Sequence, residues 1–545
     1  MGDMLGRIFF RGTVVPHRFV RLAVAALSAA AVAPCVSAAQ RPAPYSIAYQ
    51  IAMPEPASHL YQIQIDVGRL HGDSLILQMP VWSPGRYAPM FFAKNVQRFT
   101  VTTPSGAPVS WDRTDGSRWR IHTRGLAAVR VTYASYADAP MSGTFSVLDT
   151  LHATWNGPSL FMYVEHHKPD PVSLHVVPPA GWHIINGDAA TDDQVDYRFE
   201  NYDRLVDTPT EVAPHFMVDS FTVDGVLYRT MVHHNGPTTP DERARFVGDV
   251  HKIVTYENSV FGPPPIRMYT FLFHIGFPGG DGMEHLFSTQ IADRNPWQPG
   301  APLLAGVATA AHEYFHVWNV KRVRPMLLGP FDYTKERYEP SLWVAEGWTQ
   351  YYGMMALHRA GITDEPQMLD AAASIVQSNL TAPGRKEVSP RMASFEAPFW
   401  DQAGQAQPVN RNDVFFSYYF AGAGRALYLD LFIRERTHGR KALDDAFDNL
   451  RQRSWDQPNA SYYLQGRGYT EDDVEQAVSA AAGVNMHDWF TRYVGGTDDV
   501  DFDSVLAGAG LRLNRDGARW TIEAIPNATP EQLHIRQGWL TGTKG

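Results

Sequence analysis

A chain that carries His312-Glu313-Tyr314-Phe315-His316 inside one apolar helical stretch, Leu303 to Val320, has little freedom in how that region folds. Residues four apart on an α-helix stand one turn above the other on the same face, so both imidazoles converge on one point where a metal ion fits. Zinc takes nitrogen and oxygen ligands, and a catalytic zinc keeps three protein ligands with a fourth position open for water. A third ligand is therefore required. Glu346, in Leu342-Trp343-Val344-Ala345-Glu346-Gly347-Trp348 and roughly thirty residues downstream, lets a second helix return beside the first. A carboxylate in so apolar a helix needs a partner, and coordination removes the cost of burying it. His312, His316 and Glu346 are the expected ligands of one zinc ion per chain, with Glu313 beside it.

The rest of the chain must supply a scaffold. At 545 residues and 44% hydrophobic, it can bury a large core and should divide into two or three domains. Its formal charge of -10, from 57 acidic against 47 basic residues without a run of Lys or Arg, argues against a nucleic-acid partner. Residues 1–38 read as a secretory signal: Arg7, Arg11, Arg18 and Arg21 precede the apolar stretch Leu22 to Pro34 and the small-residue site Val36-Ser37-Ala38. The expectation is a secreted or periplasmic protein cut near Ala38. That apolar stretch is too short to serve comfortably as a transmembrane anchor. Cys35, the only cysteine, lies inside the signal, so the mature protein has no disulfide; lipid attachment there is disfavoured by Pro34.

From Pro44 to Val212 apolar residues alternate, as in Tyr61, Ile63, Ile65 and Val67, or Val129, Val131 and Tyr133. That period predicts an antiparallel β domain over 44–215. Met79-Pro80-Val81-Trp82-Ser83-Pro84-Gly85-Arg86-Tyr87 is too rich in Pro and Gly for a central strand and reads as a packed turn. After Phe216 the texture becomes helical, with helices expected at Leu303 to Val320, Ser341 to Ala360, Gly422 to Arg436 and Glu471 to Ala482, the last capped by Thr470. The expected catalytic domain covers 216–500, and 501–545 reads as a short strand-bearing tail.

His312 to His316 followed by Val317-Trp318-Asn319-Val320-Lys321-Arg322-Val323-Arg324-Pro325, then Leu342 to Tyr352, resembles the glycyl aminopeptidase family, zinc peptidases related to the aminopeptidase N type. Trp82-Ser83-Pro84-Gly85-Arg86-Tyr87 resembles that family's β domain. The resemblance implies an α+β fold, an N-terminal antiparallel β domain followed by a mainly helical, thermolysin-like zinc peptidase domain. It implies peptide substrates, with a small first residue such as Gly or Ala removed by zinc-activated water and Glu313 as the base. Gly282-Met283-Glu284-His285 resembles the family's substrate-binding segment, in which Glu284 would receive the substrate α-amine. From the residues alone, Glu284 reads instead as a surface carboxylate after the apolar strand Tyr269 to Ile275. Ser417 to Gly422 resembles the segment whose tyrosine donates to the oxyanion, Tyr419 by offset from Gly422, with Tyr418 as the alternative. The family usually has Lys where Ala421 stands, and relatives commonly end in a PDZ-like domain, for which 501–545 has no room. Two rivals remain: a zinc endopeptidase that binds chain on both sides of the cleft, and a secreted binding protein that kept the fold without catalysis.

Overall fold

The alternation at Leu60–Gly68 buries Tyr61, Ile63, Ile65 and Val67 on one face and leaves the residues between them facing solvent. The computed structural model describes residues 44–400, 411–458 and 463–544, so the expected signal segment and Cys35 lie outside the described residues. Leu60–Gly68 sits inside a six-stranded sheet in the order Asp196–Phe199, Val172–Val177, Ser46–Ala52, Leu60–Gly68, Ala128–Tyr136, Val96–Thr102. Two four-stranded sheets complete the N-terminal part. One pair departs from the expected antiparallel pattern: Ser46–Ala52 and Val172–Val177 run parallel, Ile47 opposite Val172. A parallel neighbour requires a long crossover, and the intervening strands and loops provide it.

The expected helical texture after Phe216 begins later than the sequence suggests. Residues Met217–Val223, Val226–His234, Met268–Ile275, Ser288–Asp293 and Gly280–Glu284 form a five-stranded sheet in that order. Its inner pairs are parallel: the helix Pro240–Phe261 joins Val226–His234 to Met268–Ile275, and the edge strand Gly280–Glu284 lies in the connection from Met268–Ile275 to Ser288–Asp293. Tyr269 through Ile275 are all buried, as expected of a strand covered on both faces. The strand expected at Tyr269 to Ile275 is thus present, one residue longer at its start, while the other four strands of this sheet are not among those expected.

The helices follow with altered limits. The motif helix is Val307–Phe315, shorter than Leu303 to Val320; it starts after Gly306 and ends as the chain turns through Trp318 to Val323. Ser341 to Ala360 is broken at Glu346 into Leu342–Ala345 and Gly347–Arg359. Asn319 causes the break to persist: its Nδ2 donates to the carbonyls of Val344 and Ala345 at 2.9 and 3.1 Å. Tyr418–Arg436 starts four residues before the expected Gly422, which brings Tyr418 and Tyr419 into its first turn. Gly422 lets this helix touch the Glu346 segment, since a Cβ there would meet the Trp343 carbonyl oxygen at 1.9 Å. Glu471–Ala482 has the expected limits, with the Thr470 hydroxyl accepting from Asp473 N–H.

The strand-bearing tail is corrected too. Leu511–Asn514 and Thr521–Ala524 make a hairpin, but helices Phe502–Gly508 and Pro530–Thr541 flank it. Thr529 and Gln532 close a capping box around Pro530. Trp539 is fully buried and donates Nε1–H to the Tyr351 hydroxyl at 2.9 Å, so this segment belongs to the helical core.

Candidate active site

The motif helix presents His312 and His316 from successive turns, and their Nε2 atoms lie 3.2 Å apart. Glu346, at the break between its two helices, turns Oε2 to both, 3.4 Å from His312 Nε2 and 3.4 Å from His316 Nε2. A tetrahedral centre with bonds of about 2.0 Å holds its ligand atoms about 3.3 Å apart. The trio thus fits a small divalent cation. His316 Nδ1 donates to the Asn319 carbonyl at 2.8 Å, which fixes the tautomer and leaves the Nε2 lone pair for a metal. Asn319 thereby holds both the second histidine and the Glu346 segment.

The electrostatics are severe. Burial works to raise Glu346, yet His316 and His312 hold it well below the usual carboxylate range. Burial pulls the His316 ring down, but Glu346 offsets this and its pKa is pushed up to about 10. Burial lowers His312 and raises Glu313 well above its ordinary value. Glu313 is 5% exposed; a Cβ on Gly282 would meet its Oε1 at 1.9 Å, so only a glycine lets the carboxylate rest there.

Glu284 ends the strand Gly280–Glu284 and is 3% exposed, which overturns the reading of it as a surface carboxylate. Glu284, Glu313 and His316 each bring one ligand atom within 4.8 Å of the others. Among the described residues, nothing hydrogen-bonds to Glu284 Oε1 or Glu313 Oε2. Gly282 lines the open cleft, whereas Met283 is fully buried. His285 points to Asp207, its Nδ1 donating to Oδ1 at 3.0 Å; Asp207 also accepts from Tyr463 and Lys321. His285 thus braces the strand.

Tyr419 lines the same cleft as His312, Glu313 and Gly282, a space of about 450 Å³, and its ring lies 6.2 Å from that of His312. Tyr418 is buried and faces Tyr87, with ring centroids 6.1 Å apart. Ala421, where the family resemblance leads one to expect Lys, is fully buried.

The turn Met79 to Tyr87 does more than pack. Val81 N–H and Trp82 Nε1–H donate to the carbonyls of Tyr333 and Asp332, pinning the loop to the catalytic part. Tyr87 then donates its hydroxyl to Glu346 Oε1 at 2.5 Å, 259 residues away in sequence. Burial keeps the phenol well above its ordinary pKa, so it remains a donor. Arg86 pairs with Asp281 at the cleft wall. Gly85, at φ 85°, leaves room for Glu284, whose Oε2 would lie 2.6 Å from a Cβ there. Glu284, Gly85 and Tyr87 line a second, narrow pocket together with Lys321 and Tyr463. The sequence held the signal, the Trp-Ser-Pro-Gly-Arg-Tyr run, without anything to say what it touches.

Comparison with known proteins places these features in a family. Residues 48–214 match the family model of the Peptidase M61 N-terminal domain, and residues 306–424 match that of the M61 glycyl aminopeptidase. The chain is similar to the crystal structure of an aminopeptidase N family protein from Idiomarina loihiensis, at 25% identity and a TM-score of 0.77 over 86% of this chain and 79% of that one. It is also similar to an M1 zinc metallopeptidase from Deinococcus radiodurans, at 15% identity and a TM-score of 0.48 over 83% of this chain and 94% of that one. No curated protein sequence matches the chain.

Proposed function

The chain belongs to the M61 glycyl aminopeptidase family and is a metallopeptidase, and from that premise we propose that it uses one catalytic zinc to remove small N-terminal residues, Gly or Ala, from peptides. The observation that carries the reading is the meeting of three buried carboxylates, Glu284, Glu313 and Glu346, with only two imidazoles. Charging carboxylates buried so close together is costly, and cationic guests offset that cost. A divalent metal answers Glu346, and the substrate's α-ammonium answers Glu284.

When bound, zinc supplies polarisation of the scissile carbonyl and brings the pKa of a water molecule to about 7. Glu313 accepts the proton of the attacking water and returns it to the leaving amine. Tyr419 donates its hydroxyl to the developing oxyanion. Glu284 fixes the amine by a charge-assisted hydrogen bond, so the first peptide bond lies at the metal. Among the described residues, no helix is long and apolar enough to cross a membrane. Action outside the cytoplasm after cleavage near Ala38 is part of the proposal, supported by the signal-like composition of residues 1–38.

Acetylating the substrate amine removes its charge and should slow cleavage by at least about a hundredfold, the scale of a charge-assisted bond in a desolvated cleft. Glu284→Ala should weaken the free-amine substrate by a similar factor while hardly affecting the blocked one. Equal rates on free and acetylated peptides would instead identify an endopeptidase. Chelation should abolish release of amino acids and added zinc restore it, while a His312→Ala, His316→Ala variant should hold one zinc fewer than the parent. Unchanged metal content in that variant contradicts the ligand assignment. Tyr87→Phe, which frees Glu346 Oε1, should weaken zinc binding by about 10 to 100-fold in chelator competition. An unaltered affinity would reduce Tyr87 to packing.

A further inference from the structure

Four buried side chains that share nothing with the cleft converge between the N-terminal sheets and the catalytic sheet. His233 and His274 are opposite one another in register on the parallel strands Val226–His234 and Met268–Ile275, so their rings leave the same face side by side. The strand Thr210–Ala213 lays Glu211 against them, and His152 stands just before Ala153–Trp155, the strand paired with it. Glu211 Oε1 meets His152 Nδ1 at 3.1 Å and His233 Nδ1 at 2.7 Å, and Oε2 meets His274 Nε2 at 3.0 Å.

Glu211 is 0% exposed, and among the described residues no Lys or Arg forms an ion pair with it. Its three contacts are with imidazoles, which answer the charge of a carboxylate taken wholly out of water only when protonated and otherwise offer hydrogen bonds alone. A divalent cation would supply that charge and leave the imidazoles neutral. His152, Glu211 and His274 bring ligand atoms within 4.8 Å of one another, as His312, His316 and Glu346 do. Their separations from Glu211, 3.0 and 3.1 Å, approach the 3.2 to 3.4 Å of the catalytic trio. Two imidazoles and a carboxylate are a donor set that suits zinc. His233 takes the place of the outer hydrogen bond that orients a ligating carboxylate. His233 lies at the edge of the cluster, its ring 6.1 Å from that of the exposed His215.

We propose that His152, Glu211 and His274 bind a second, structural zinc ion, with His233 orienting the carboxylate, and that this ion ties the N-terminal β part to the catalytic sheet. The site is independent of the catalytic one, so the two assignments separate by counting. Purified full-length enzyme, dialysed and analysed for metal, should hold two zinc ions per chain. The His312→Ala, His316→Ala variant, in which the second cluster is untouched, should keep one. Adding Glu211→Gln and His274→Ala to it should leave none, and in the parent background the same pair should lower the chelator-sensitive part of the thermal unfolding temperature. A parent with a single zinc that is lost in the His312→Ala, His316→Ala variant overturns the proposal, because the cluster is then held by hydrogen bonds alone. One zinc retained after all four substitutions overturns it as well, since the ion would lie elsewhere. A single zinc that persists in the catalytic variant and vanishes with Glu211→Gln and His274→Ala supports the second site and removes the first.

Discussion

Replacing Glu313 with glutamine should lower kcat by roughly 10² to 10⁴-fold, the usual worth of a positioned general base, with zinc content and fold unchanged. The amide has nearly the same shape, so the contact with Gly282 survives; what it lacks is the ability to accept a proton. Glu313 Oε1 rests against that glycine, and Oε2 has no hydrogen bond among the described residues, which leaves one oxygen for the attacking water. Burial holds the carboxyl well above its ordinary pKa, as suits a group that must pass a proton on. Because the loss falls on the transition state, kcat and kcat/KM should drop together. Steady-state kinetics on a Gly-initiated peptide, with metal analysis of the same sample, provides the check. Turnover near the parent rate would exclude Glu313 as the base.

Tyr419→Phe should cost about 10² to 10³-fold in kcat with a modest change in KM, the usual loss when one oxyanion donor is removed. Tyr418→Phe should cost far less. Successive residues in the first turn of a helix point about 100° apart, so one of this pair turns to the core while the other turns to the cleft. Tyr418 is 2% exposed and packs against Tyr87, whereas Tyr419 lines the cleft beside His312. If the order of the two effects were reversed, the donor would be Tyr418 and the register of the resemblance off by one.

The metal trio is legible in the sequence because its signal is local. Four-residue spacing puts His312 and His316 on one face whatever surrounds the helix, and Glu346 is conspicuous as a lone charge in an apolar run. The same holds for the alternation of Leu60–Gly68 and for Glu471–Ala482, whose cap lies beside it in sequence. Of the sheet at 217–293 only the apolar strand Tyr269 to Ile275 is legible; Val226–His234, buried along most of its length, loses the alternation that identifies strands. Pro530–Thr541 is hidden for another reason: its buried face meets distant helices, and Trp539 finds Tyr351 across 188 residues.

What the sequence by itself determined, then, are features written within one or two turns of chain: the histidine pair, its glutamate, the alternating strands and the capped helix. The tertiary structure alone decided that Asn319 interrupts the second helix at Glu346, that Glu284 is buried beside Glu313, and that Tyr87 crosses 259 residues to hold the third ligand. It alone brought Glu211, His233 and His274 together from three strands with His152 from the loop before a fourth. Contacts between segments leave no periodic trace, since either partner read alone is an ordinary turn, strand or histidine; their chemistry exists only once packing brings them within hydrogen-bond reach.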